Sequence, residues 1–386
     1  MLKPAATNPW YVLATLAGEQ SKIYDQKLHD KNREFWNAWL TQNLTDEDRD
    51  ATKDTEGRAY LKFQKNRKWE DLKVEAERLF HARLPGVNIP DPEIGADFSN
   101  LEFGSFVSFQ EFWFNSANFS GCNFSQDVYF ANSTWSGGPE FIGTTFRSVA
   151  YFSSAQFLGA VRFEQAVFCK RSTFRSAIFA GYSDFRDTIF DEPCNMRFAK
   201  FLTEYPNLDG AALHNKTNVT AKKEYWPSII NEEDEYAVTC CATLRQNMTA
   251  QGRSDDAHFF FRREMDHKAE MAKIWERPFY DLYQWAEYGF GVRQPLELLL
   301  WVWLLGWLLL WTAETLTWYD ALFLSLANIF KFFGFQKVYF DNTIKDLCGA
   351  LKILTALQTA VGYVALFFLG LGLSVVKVFG TKSGVN

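Results

Sequence analysis

FIGTTFRSVAYFSSAQFLGAVRFEQAVFCKRSTFRSAIFAGYSDFRDTIF, residues 141–190, carries a phenylalanine after five residues, then six, then five again, to its end. The same beat runs N-terminally, so that Phe98, Phe103, Phe109, Phe114, Phe119, Phe124, Phe130 and Trp135 lead into Phe141, Phe146, Phe152, Phe157, Phe163, Phe168, Phe174, Phe179, Phe185 and Phe190. Two positions before each aromatic stands a residue that is mostly small or β-branched, such as Ala150, Ala155, Val161 and Ala166; the exceptions are Leu101, Phe112 and Pro139. A helix repeats every 3.6 residues and a half-buried strand every 2, so neither explains the spacing. A square coil does: each short face turns one large and one small side chain inward, and tight turns make the corners. Four faces to a coil turn these aromatics into about four and a half coils, a prism about 20 Å tall at the usual strand spacing. The sixth residue of the alternate steps is expected to be absorbed at a corner, like a bulge.

Over Ala96–Phe201 this pattern resembles the pentapeptide-repeat family. The resemblance implies a right-handed quadrilateral β-solenoid with its central aromatics stacked in ladders, and these eighteen aromatics as its core. Some such solenoids mimic DNA, which requires a dense acidic surface. Here ten acids between 96 and 201 face eight bases, a near-balance that argues against mimicry, and a net charge of −6 gives no reason to expect a nucleic-acid partner. All eight bases lie from Arg147 onward, leaving residues 96–146 without one. That asymmetry fits a solvated surface or one that pairs with a neighbouring subunit.

Residues 1–95 read as a helical cap whose apolar face includes Trp36, Trp39, Leu61, Phe63, Trp69 and Phe80, closing the open ladder at one end of the solenoid. The short apolar run Trp10–Ala17 is too short and too poorly charged for a secretory signal. Residues 202–274 read as a polar loop over Pro206–Ile230, then a helix over Glu232–Ala250 and a second opening at Ser254-Asp255-Asp256. Glu264 and His267 lack a third ligand at workable spacing, so no metal is expected. The six cysteines form no C-x-x-C pair and read as reduced, buried hydrophobes. The five histidines are scattered, and no nucleophile–base pair or phosphate-cradling loop appears; the chain is expected to be neither an enzyme nor a cofactor carrier.

The composition changes again at Trp275. Residues 275–295 crowd tryptophan, tyrosine and phenylalanine as an interfacial helix would. Leu296–Ala313 and Ile353–Val376 are apolar runs of spanning length, giving a two-span domain over 296–376 and a tail at 377–386. Basic residues before the first span (Arg262, Arg263, Lys268, Lys273, Arg277, Arg293) and after the second (Lys377, Lys382) place both termini in the cytoplasm of an inner (plasma) membrane protein. Between the spans, Asp320–Phe335 is apolar enough to enter a membrane and too short to cross it, as in a re-entrant segment.

This arrangement resembles bacterial pentapeptide-repeat proteins that end in a two-span, ion-channel-like domain. The resemblance implies a homo-oligomer, a tetramer by analogy, with Asn328, Lys331, Phe332, Phe333 and Gly334 at the pore-lining or filter-like position and Gln358 and Gly362 on the inner helix. A potassium filter reads T-V-G-Y-G; here one glycine remains and Lys331 stands beside it, so potassium selectivity is not implied. The expected function is an oligomeric membrane channel-like protein coupled to a cytoplasmic solenoid. The alternative is a membrane-anchored scaffold whose solenoid binds a cytoplasmic protein without transport. Either way membrane lipid is a partner.

Overall fold

The computed structural model describes residues 2–21, 23–43, 69–228, 235–312 and 316–380. The expected cap residues Leu61 and Phe63, and Lys382 in the tail, lie outside the described residues. The chain divides into two compact units, Met1–His267 and Lys268–Asn386.

Four stacks of short parallel bridges make the first unit a β-solenoid of about six turns. Successive coils are offset by 21 to 23 residues: Glu102 pairs with Asn123, Thr145 with Val167, and Asn195 with Asn218. All eighteen aromatics are buried, and so is the small residue two positions before each. The rings form ladders. On one face Phe103, Phe124, Phe146, Phe168 and Phe190 lie nearly parallel with centroids 4.4, 5.2, 4.6 and 4.9 Å apart. That is the distance between strands, so a flat ring fills each storey without a gap. Three of the polar residues at the small position are hydrogen-bonded. Thr144 and Thr188 donate through Oγ1 to the carbonyls of Phe119 and Phe163, and the Trp135 indole donates to Ser133 Oγ.

The corners differ from expectation. Asn100, Glu111, Gly121, Asn132, Gly143, Ser154, Gln165, Ser176, Asp187, Phe198 and Gly210 all take φ between 52° and 66°. Each lies two residues after a core side chain, inside a five-residue step. There the carbonyl of the core residue accepts from the N–H three residues on, as Phe152 does from Ala155. In these steps a left-handed residue turns the corner, as in a type II turn, while the five-residue step from Phe114 to Phe119 does without one. The six-residue step uses an extra residue instead.

The solenoid also runs a coil beyond the expected end at 201. Asn195 and Met196 pair with Asn218 and Val219, and isolated bridges join Asp184 to Asn207 and Ile189 to Ala212. In this last coil Leu208 and Val219 are buried, Leu213 is partly so, and Trp226 stacks on Phe201 at 5.1 Å. Much of the expected polar loop is thus solenoid whose inward residues are mostly aliphatic.

Both ends are closed. Lys3–Pro4 adds a parallel strand to Leu101–Glu102. Helix α1 (Pro9–Ala14) is capped by Asn8, which accepts from the N–H groups of Trp10 and Tyr11. Helix α2 (Gln26–Leu40) puts Trp36 against Phe98, Phe112 and Phe114, with its indole donating to the Trp113 carbonyl at 2.6 Å. Asn37 accepts from the Trp113 N–H and donates to the Glu111 carbonyl. Helix α3 (Trp69–Arg83) packs behind it. At the far end α4 (Glu235–Ala250) and the turn after it donate from Asn247, Gln251 and Arg253 to the carbonyls of His214, Thr217 and Val219. Helix α5 (Ser254–Glu270) sets Phe260 edge-on to Trp226. Surface charges pair from coil to coil: Arg162 with Glu140, Lys170 with Glu192, Arg186 with Glu164. Exposed pairs like these contribute up to about 1 kcal/mol each.

Two outcomes follow for stability, both measured by thermal or denaturant unfolding of the full chain in mild detergent. Phe157 is enclosed between Trp135 and Phe179, so Phe157→Ala should cost about 3–5 kcal/mol. Arg147 is exposed, and Arg147→Ala should be near neutral. Equal losses would refute the assigned register. The second outcome concerns pH. His267 is buried edge-on to Tyr205, and burial together with Arg263 lowers its pKa to about 4. The unfolded chain binds the proton near its ordinary value of about 6.5, so between the two values the unfolded state holds more protons. Stability should fall as pH drops through this window, and His267→Asn should flatten that slope; an unchanged slope would count against a neutral, buried imidazole.

Candidate functional site

The second unit is helical. Helix α6 (Arg277–Trp285) leaves Phe279 exposed, and a turn through Glu287 and Tyr288, both at positive φ, follows it. Among the described residues, helix α7 (Arg293–Thr312) and helix α11 (Gly349–Gly380) are the two helices long and apolar enough to cross a membrane. Between them lie α8 (Trp318–Ile329), a single turn at Lys331–Phe333, α9 (Phe335–Tyr339) and α10 (Asp341–Asp346).

Helix α8 starts at Thr317, whose hydroxyl accepts from the Asp320 N–H. It then runs back along α7. The Trp307 indole donates to the Trp318 carbonyl, the Trp303 indole to that of Leu322, and Ser325 Oγ to that of Trp303. Helix α11 lies against both. Leu347, Leu351 and Leu354 gather around Leu310 and Leu324, while further along Gly362 reaches Ile329. Twelve residues make α8 about 18 Å long, a little over half the hydrocarbon thickness. After it the chain returns through α10 to the end of α7 from which it came, where Phe340 and Ile344 pack with Leu310.

Where the three helices meet, a set of buried amides replaces apolar packing. Gln358 donates to the carbonyls of Val302 and Ser325 at 3.1 and 3.2 Å and to Ser325 Oγ at 2.5 Å. Its Oε1 accepts from Asn328 Nδ2 at 2.9 Å, and Asn328 Oδ1 accepts from Gln336 Nε2 at 2.7 Å. Asn328 and Ser325 are wholly buried, and Gln358 and Gln336 nearly so. Buried away from water these groups need such partners, and the network joins α7, α8, α9 and α11. Gly306 makes room for it: a Cβ there would stand 2.1 Å from Gln358 Nε2. Gly362 lets α11 approach the Ile329 backbone, where a Cβ would sit 3.1 Å from its Cα.

Asn328, Gln358 and Gly362 are thus brought together in the packing of one chain. Lys331, Phe332 and Phe333 are not with them; all three are exposed on the turn after α8. Gly334 closes that turn at φ 80°, a conformation that favours glycine. Ser325, Gln336, Gly306 and Trp303 complete the arrangement and escaped the sequence reading. One signal was available: Ser325 and Asn328 stand three apart in an apolar helix, on one face.

Replacing Gln358 by Leu leaves Asn328 and Ser325 short of partners and should cost about 1–3 kcal/mol. Gly306→Ala should destabilise as well, by displacing the Gln358 amide. Leu308→Ala, on the exposed face of α7, is the control. Melting of the detergent-solubilised chain tests the set; equal melting of Gln358→Leu and Leu308→Ala would contradict the network.

The family model described as pentapeptide repeats (9 copies) matches residues 141–189, wholly within the solenoid. No curated protein and no solved structure matches the chain. The chain therefore carries pentapeptide repeats folded as a β-solenoid, together with two helices fit by length and composition to cross a membrane.

Proposed function

We propose that the C-terminal unit is embedded in a membrane as a channel-like module, that several copies assemble around it, and that the solenoid couples it to the cytoplasm. One observation carries this reading: a half-length apolar helix, α8, doubles back against two helices of spanning length. Irregular backbone at membrane depth is tolerated only inside protein or beside water. The segment that follows α8 leaves Phe332, Phe333, Phe335, Val338 and Tyr339 exposed, as surface a second copy or lipid would cover. A four-copy ring with Lys331 and Gly334 toward its axis is the simplest assembly by analogy with two-span channels.

Potassium selectivity is not part of the proposal. Residues 331–333 are helical, and the carbonyls of Phe330 and Lys331 accept from the N–H groups of Phe333 and Gly334. Carbonyls engaged in this way do not form a row of cation ligands. A ring of Lys331 ammonium groups would favour anions instead.

A second reading, an anchored scaffold without transport, is favoured by the amide network. Asn328 and Gln358 are satisfied within one chain, which removes them as lining for a wet axis.

Flux through the purified protein in liposomes, with its mass in mild detergent measured beside it, separates the two. The channel reading expects an oligomer that passes ions, and Lys331→Glu should shift the preference toward cations. A monomer that leaves liposomes tight, with and without that change, would leave the scaffold standing.

A further inference from the structure

Helix α9 separates two concavities of opposite character. On one side is a groove of about 380 Å³ lined by Phe323, Leu326, Ala327, Phe330, Phe335 and Tyr339, with no charged side chain in its wall. On the other is a pocket of about 430 Å³ whose wall holds Lys331, Lys337 and Lys352 together with Gln336, Asp341 and Thr355. The partition follows from the short helix itself. Phe335 and Tyr339, four apart, share the apolar face, and Gln336 and Lys337 turn to the other.

The charges in the pocket do not cancel. Asp341 is its one acid, and its carboxylate is already paired with Lys345. Lys352 donates to the Lys345 carbonyl, a bond that orients the ammonium and leaves its charge uncompensated. Lys331 and Lys337 are exposed. Three ammonium groups beside an apolar groove ask for one molecule with an anionic head and a hydrocarbon tail. A free phosphate satisfies only the pocket, and a neutral lipid only the groove.

We propose that α9 is the seat of an acidic phospholipid, with its phosphate among Lys331, Lys337 and Lys352 and an acyl chain along Phe323, Leu326 and Tyr339. The proposal rests on the membrane placement of the hairpin and not on conduction through it. A lipid held there would also cover Phe335 and Tyr339, which the chain alone leaves in the open.

The test uses the full chain in mild detergent, with native mass spectrometry and titration of short-chain phosphatidylglycerol, phosphatidylcholine of equal chain length, and inorganic phosphate. The expected result is saturable phosphatidylglycerol binding, with phosphatidylcholine at least about tenfold weaker. Lys331→Gln and Lys337→Gln should each weaken phosphatidylglycerol by about fivefold, the scale for one basic residue at an anionic surface. Phe335→Ser with Tyr339→Ser should weaken it too, while unchanged melting shows that these exposed positions leave the fold intact. Equal binding of the two lipids would overturn the proposal, and so would indifference to the lysine changes. Inorganic phosphate that displaces phosphatidylglycerol at equal concentration would reduce the site to a simple anion pocket and overturn the lipid. Phosphatidylglycerol binding in a protein that leaves liposomes tight upholds the site while the channel reading falls. Release of the protein from membranes by alkaline carbonate would overturn both.

Discussion

The interaction on which the solenoid depends is the main-chain hydrogen bond from one coil to the next. The Phe152 N–H donates to the carbonyl of Thr173, and the Gln156 N–H reaches back to that of Ser133. Two-residue strands have almost no partners of their own, so each coil is completed only by its neighbours. Stacking in register then forces every inward side chain to lie over its equivalent. A flat ring repeated at the strand spacing fills that column, which is why one residue type recurs so often. It also makes the two end coils a problem, since each has a row of main-chain groups facing nothing. The chain solves it with helices whose Trp36, Asn37, Asn247, Gln251 and Arg253 bond to those rows.

The same constraint governs the second unit in another form. Helices satisfy their own main chain, and what remains exposed there is the polar side chain and the helix end. Gln358 and Asn328 meet that need for each other and for the carbonyls of Val302 and Ser325. Gly306 and Gly362 let three helices close on the network. The half-length helix is therefore held by specific polar bonds and not by apolar packing alone.

What could be read in the sequence follows from these differences. The aromatic ladder was legible because its period is imposed by geometry and repeated without interruption from Phe98 to Phe190. The last coil was not, since Leu208, Leu213, Val219 and Trp226 stand at steps of unequal length after Phe201 and only one is aromatic. The corner chemistry was missed for another reason: the left-handed position accepts Asn, Ser, Gln, Glu, Asp, Gly and even Phe198, so composition does not mark it. The closing bonds from α4 to the final coil leave no pattern at all, being single side chains that reach single carbonyls. In the hairpin the apolar runs were plain, and so were Asn328 and Gln358 as polar residues among them. Their joining to Ser325 and Gln336 required the fold of α8 against α11.

The central claim for the second unit is that α8 enters and leaves by the same face. Single cysteines at Thr317 and Lys345, which flank the α8–α10 segment, can be probed in sealed vesicles of known orientation with a membrane-impermeant maleimide, the exposed Cys348 having been replaced by serine. The account predicts that both positions label from one and the same side, and that a cysteine at Leu326 labels only after the membrane is dissolved. Labelling of Thr317 and Lys345 from opposite sides would mean that the segment crosses, and would contradict it.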